Sequence, residues 1–245
     1  HQVRTRNQQT AELTDLAPAC PWRIRFQAFG TIVLFVSAAV LLWYFQAFPH
    51  QTATENPDTT FSGFTEPSQK LNSFVAACNH ENPVIQDIAN EILRHSAGNQ
   101  LDMIWNAHQY LRRHWNMVPS PNHFEINTVS EILAGGLSGN ETEFAVVSYS
   151  LFQALHLPSR IRYYENNGTW QVVNEVCSSQ NNPKLIQQAF KKHLPAIQQI
   201  HSESDIQCGN WIPVLPGNQY PGQTKINSKT SVIYYIHERS YQLRK

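Results

Sequence analysis

The sequence predicts an α+β domain, helices first and an antiparallel sheet after them, preceded by one transmembrane helix. Three observations predict it. Residues 26–48 form an unbroken uncharged stretch near the start of the chain. Apolar residues then recur at helical spacing over the next third of the sequence. Beyond Pro158, strand-like runs separated by turn residues take over, and this order of helices followed by strands defines the class.

The apolar stretch FQAFGTIVLFVSAAVLLWYFQAF would reach roughly 34 Å as a helix, enough to cross a bilayer core of about 30 Å. Trp43 and Tyr44 suit the interface at its far end. Arg4, Arg6, Arg23 and Arg25 precede it, whereas the first basic residue after it is Lys70. That asymmetry places residues 1–25 in the cytoplasm and the rest in the periplasm or outside the cell, with the bilayer as the first partner. A cleaved signal peptide would have a shorter apolar region and a small-x-small site after it, and a buried core helix would be amphipathic. Gly30, Ser37, Ala38 and Ala39 would let another membrane helix approach closely.

Residues 49–69 carry two Pro–polar clusters and little apolar periodicity, the pattern of a linker, so residues 70–245 make up the extracytoplasmic domain. Asn82-Pro83 opens a run with Ile85, Ile88, Ala89 and Ile92 on one stripe. A second stripe holds Leu101, Ile104, Trp105, His108, Leu111 and Trp115. Thr128-Val-Ser-Glu131 is a capping box that starts a short helix. From Glu141 to His156 the sequence is apolar nearly all round, which predicts a buried helix ended by Leu157-Pro158. Ser159–Glu165 and Thr169–Val176 read as strands of a hairpin turning at Asn166-Asn167-Gly168. Pro183 to His201 reads as helix, Pro213 to Gly222 as loop, and Ser231 to Ile236 as a last strand.

Acidic and basic side chains are equal in number, 18 each. Nucleic acid is therefore excluded as the main partner, because neutralising phosphates needs a basic excess. The 11 histidines show no zinc-site spacing, so neither a metal nor another cofactor is implied. His108 lies on an apolar stripe as a core residue would, and Arg112-Arg113-His114 complements a helix C-terminus. Asn140-Glu-Thr142 and Asn167-Gly-Thr169 match the glycosylation sequon.

From Asn82 to Val176 the chain resembles the transglutaminase-like superfamily, whose core is a papain-type fold. The resemblance rests on Gly139-Asn140-Glu141-Thr142-Glu143-Phe144-Ala145, which resembles the family's Gly-x-Cys turn into a buried helix, and on Leu155-His156-Leu157-Pro158-Ser159-Arg160, which resembles the Gly-Ile-Pro-Ala-Arg that follows. The spacing between the two is matched without a gap. Family enzymes use Cys, His and Asp together, with the thiolate favoured at the helix N-terminus. Carried over, the cysteine position is Glu141, the histidine position Ser159, and the aspartate position Asn174, closing Trp170-Gln-Val-Val-Asn174. All three positions lack the catalytic residue. Ser138 and Glu141 read instead as a helix cap of their own, a carboxylate being favoured at a helix N-terminus.

Together with the anchor read from residues 26–48, the resemblance implies a catalytically inactive domain that binds other membrane or envelope subunits as an accessory or scaffold. The alternatives are a cysteine-independent peptidase, amidase or cross-linking enzyme acting on envelope material, and an unrelated α+β ligand-binding domain. The enzyme reading needs a histidine near Glu141 or Cys78, for which His80, His123 and His237 are the candidates. Of the four cysteines, Cys20 falls in the cytoplasm and could carry a lipid. In an oxidising compartment, Cys177 with Cys208 is the favoured disulfide, the alternatives being a pair involving Cys78 or no bridge.

Overall fold

The computed structural model describes residues 67–118, 126–166, 168–227 and 230–244. Three helices come first: α1 (Pro67–Ala77), α2 (Pro83–Ser96) and α3 (Gln100–His114). A two-residue strand β1 (Asn116–Met117), helix α4 (Val129–Ala134) and strand β2 (Ser138–Gly139) lead into α5 (Glu141–Ala154). Then follow β3 (Ser159–Asn166), β4 (Thr169–Ser178), α6 (Pro183–Lys191), β5 (Glu203–Asp205), β6 (Gly209–Val214), β7 (Ser231–Tyr235) and β8 (Ser240–Arg244). The last six strands form one antiparallel sheet in the order β5-β6-β4-β3-β7-β8. The α+β class, the helix-then-strand order and the hairpin all stand.

Helix α5 is the centre of the core. Val146, Val147, Leu151 and Phe152 are fully enclosed, each contributing roughly 1.5–3 kcal/mol by leaving water. Its hydroxyls turn back on the helix: Ser148 Oγ donates to the Ala145 carbonyl and Ser150 Oγ to that of Val146. The helix ends because His156 takes a left-handed φ of 57° and Leu157 N–H reaches back to the Phe152 carbonyl at 2.8 Å. This six-to-one closure is what stops it, with Pro158 beyond.

The sheet is two-faced, as strand alternation requires. Ile161, Tyr163, Val172, Val176, Ile212, Val214, Val232 and Tyr234 join α5 in the main core. Arg160, Arg162, Glu175, Cys177 and Trp211 alternate with them and lie on the opposite face. The predicted hairpin is in register, with Asn166 opposite Thr169 and Arg160 opposite Glu175. Gly168 supplies the φ of 78° that its turn needs.

Four boundaries differ from expectation. Pro67, Ser68 and Gln69 are not linker but open α1, because Pro is preorganised for a first helical position and Leu71, Phe74 and Ala77 are buried. The helix expected to His201 stops at Lys191, since Pro195 disfavours helix at Leu194 and offers no N–H. Strand β6 occupies part of the expected loop, and β8 follows the strand expected to be last. The segments 1–25, 26–48 and 49–66 lie outside the described residues. Among those described, no helix is long and apolar enough to cross a membrane.

Candidate functional site

The N-terminus of α5 is built by a two-strand parallel ladder, in which Asn116 lies opposite Ser138 and Met117 opposite Gly139. The ladder delivers the chain to Asn140, which caps the helix. Asn140 Oδ1 accepts the N–H of Thr142 at 2.8 Å and of Glu143 at 3.1 Å. In return the Glu143 carboxylate accepts Asn140 N–H at 2.8 Å, and Asn127 Nδ2 also donates to it. The capping box is therefore Asn140–Glu143, two residues beyond the expected Ser138–Glu141. Ser138 cannot serve, because it is held in β2 with its hydroxyl donating to Gly135 O at 3.0 Å. The Glu143 side chain also explains Gly139: a Cβ there would fall 2.8 Å from Glu143 Cβ.

Glu141 occupies the first turn, half-buried. Thr142 Oγ1 lies 3.3 Å from the Tyr163 hydroxyl. Burial, and then the negative charge of Glu141, push the Tyr164 phenol up to about 12. Burial likewise pushes Tyr163 up to about 12, opposed by its bond to Thr142. The β4 residues opposite these tyrosines are Val172 and Gln171.

The other two carried-over positions are elsewhere. Ser159 begins β3 and accepts a hydrogen bond from Gln153 Nε2 at 3.3 Å. Gln153 is twelve residues along α5 from Glu141, about 18 Å of helix. Asn174 does not close its strand, because β4 runs on to Ser178 with Val176 and Cys177 paired to β6. It is completely enclosed between Ile161 and Val214, and neither of its amide atoms has a hydrogen-bond partner among the described residues. Ser159 thus lies toward the C-terminal end of α5, away from Glu141. At the Glu141 end the inward-facing strand positions are Tyr163 and Val172, which the hairpin register pairs.

His80 and His237 belong to the other end of α5. They line a 530 Å³ cavity with Gln153, His156 and Ser159. His123 lies outside the described residues. Cys78 is unpaired, its Sγ 4.0 Å from the Val146 carbonyl, and burial pushes its thiol well above the ordinary range. A thiol held in that state is a poor nucleophile. Among the described residues, no group of His, Cys, Asp and Glu is arranged to hold a metal. Cys177 and Cys208 form the expected disulfide, which joins the end of β4 to the turn before β6.

A second assembly, not foreseen in the sequence, lies on the outer face of the sheet. Arg160 Nε donates to Glu175 Oε2 at 2.6 Å, and its two amino groups reach the Tyr235 hydroxyl and Glu203 Oε1, each at 3.2 Å. Arg162 and Arg244 both donate to Glu203 as well. The Trp211 ring covers Arg160 at 4.3 Å. Burial alone would raise the Glu203 pKa, but its guanidinium partners, Arg162 foremost, hold it down at about 2. The available signal was Arg-x-Arg on one strand of a hairpin facing a lone Glu on the other.

Compared with known proteins, the chain matches no family model and no curated protein. Two solved structures share features of the architecture. One is a "putative protease" from Parabacteroides distasonis, 13% identical over 45% of this chain and 24% of that one, with a TM-score of 0.38. The other is a "putative cysteine protease" from Cytophaga hutchinsonii, 13% identical over 74% of this chain and 56% of that one, with a TM-score of 0.39. The chain spans about a quarter of the first and just over half of the second, and the similarity is one of fold alone.

Proposed function

We propose that this is a transglutaminase-like domain without thiol chemistry, tethered to a membrane by residues 26–48 and acting as a binding or accessory subunit of a membrane or envelope assembly. The observation that carries the reading is the first turn of α5. A buried helix packs against the β3–β4 hairpin, as the superfamily resemblance requires, and opens on Glu141 where a reactive cysteine would stand. The turn is committed to structure by the Asn140–Glu143 box, and the free thiol at Cys78, partly buried against the core, has its pKa pushed up by desolvation. The tether rests on the uncharged span and the arginine asymmetry around it.

The test uses the full chain in mild detergent with a fluorogenic amide substrate and an amine-donor substrate. The expected result is turnover no greater than without protein, and the same for Glu141→Ala. Turnover that is lost in Glu141→Ala would overturn the reading. Partner subunits are expected to co-purify under the same conditions and to be lost when residues 26–48 are deleted.

A further inference from the structure

On the face of the sheet opposite α5, a cavity of 440 Å³ is lined by Arg162, Glu175, Glu203, Trp211, His201 and Lys225, with Ile200, Pro213 and Ile226 among its apolar walls. Its carboxylates are already occupied. Glu175 meets Arg160 and Arg162, and Glu203 meets Arg160, Arg162 and Arg244. Among the described residues, three guanidiniums in this network face two carboxylates, so one positive charge is left over. Lys225 adds another at the exposed rim.

Donors are in excess as well. Trp211 Nε1–H is buried and finds no acceptor among the described residues. Arg162 Nε lies 3.2 Å from Glu175 Oε1, close enough for an ion pair, yet it makes no hydrogen bond. Buried N–H groups without acceptors are uncommon and costly, the more so when charged. One such group, the Trp211 N–H, belongs to a residue that lines this cavity beside the Arg162 guanidinium, which Glu175 and Glu203 hold in place. An ionised acceptor is the complement to such a set. The apolar walls require that the anion be attached to something greasy, and a few hundred Å³ is the size range of a small-molecule site.

We propose that this cavity is a binding site for a carboxylate borne beside an apolar group, such as the C-terminal carboxylate of a short peptide, held by Arg162, Trp211 and Lys225. The inference goes beyond the function proposed above and does not depend on whether α5 supports chemistry, because α5 packs on the other face.

The experiment titrates the full chain with N-acetyl-Ala-Leu and with its C-terminal amide, read by calorimetry and tryptophan fluorescence. The free acid is expected to bind about tenfold or more tightly than the amide, the difference a charge-assisted hydrogen bond commands. Lys225→Gln, an exposed change that leaves the fold intact, is expected to weaken the acid about threefold and to leave the amide unchanged. Trp211→Phe keeps the ring over Arg160, removes the N–H, and is expected to weaken the acid about fivefold. Equal binding of acid and amide, or no binding of the acid up to about 10 mM, would overturn the proposal. Displacement of the peptide by an equal concentration of inorganic phosphate would overturn the assignment to a carboxylate. The amide-turnover assay is indifferent to all of these results.

Discussion

Asn140 and Glu143 complete each other's hydrogen bonds at the N-terminus of the buried helix: the Asn140 side chain accepts Glu143 N–H, and the Glu143 carboxylate accepts Asn140 N–H. Asn140→Ala should therefore cost about 1–2 kcal/mol in urea denaturation. Ser138→Ala, at the residue the sequence first suggested as the cap, should stay within about 0.5 kcal/mol. A larger loss at Ser138 than at Asn140 would contradict the observed box.

Glu175 is almost wholly enclosed and lies between Arg160 and Arg162. Glu175→Gln leaves buried guanidinium charge uncompensated and should cost about 3–5 kcal/mol. Glu203 is 30% exposed, so water screens what remains after Glu203→Gln and the loss should be clearly smaller. Equal losses at the two positions would mean that burial does not govern the network.

The Cys177–Cys208 bond closes a loop of sequence separation 31. Chain entropy assigns such a loop about 3–4 kcal/mol. Replacing both cysteines by serine should lower stability by that order, read from the denaturant midpoint. Cys78 should remain unreactive toward a maleimide in the folded protein and react on unfolding, because burial keeps it protonated.

His108 is enclosed on α3, and burial pulls its pKa down to about 4. The unfolded chain binds its proton below about 6.5, so between these values the unfolded state carries more protons than the folded one. Stability contributed by neutral His108 is complete above that upper value and is lost as the pH falls toward 4. The loss is on the order of 3 kcal/mol, at about 1.4 kcal/mol per unit. Urea midpoints between pH 7 and 4 should fall in the native chain and fall less in His108→Gln.

The fold was legible wherever local chemistry decided it. Asn82-Pro83, the Thr128–Glu131 box and the all-apolar run after Glu141 each specify their own element, and all three stand where expected. The hairpin was legible from its Gly-containing turn and alternating strands. What escaped depended on distant parts of the chain. Strand β6 buries Trp211 and Ile212 only because β4 is there to pair with them, and Glu203 has meaning only beside arginines some forty positions away. Ser159 was counted along the sequence, and only the folded chain shows that its bond to Gln153 puts it at the far end of α5 from Glu141. The outer charge network was half visible, since the hairpin register alone sets Arg160 opposite Glu175.

That hairpin is also the middle of the sheet, flanked by β6 and β7 and then by β5 and β8. Its two strands need only a tight turn to meet, an event of microseconds, whereas their neighbours must be gathered over long stretches of chain. Assembly should accordingly spread outward from the centre, and transient opening should begin at the rims. Amide protons of β3 and β4 would then exchange with solvent last, and those of β5 and β8 first.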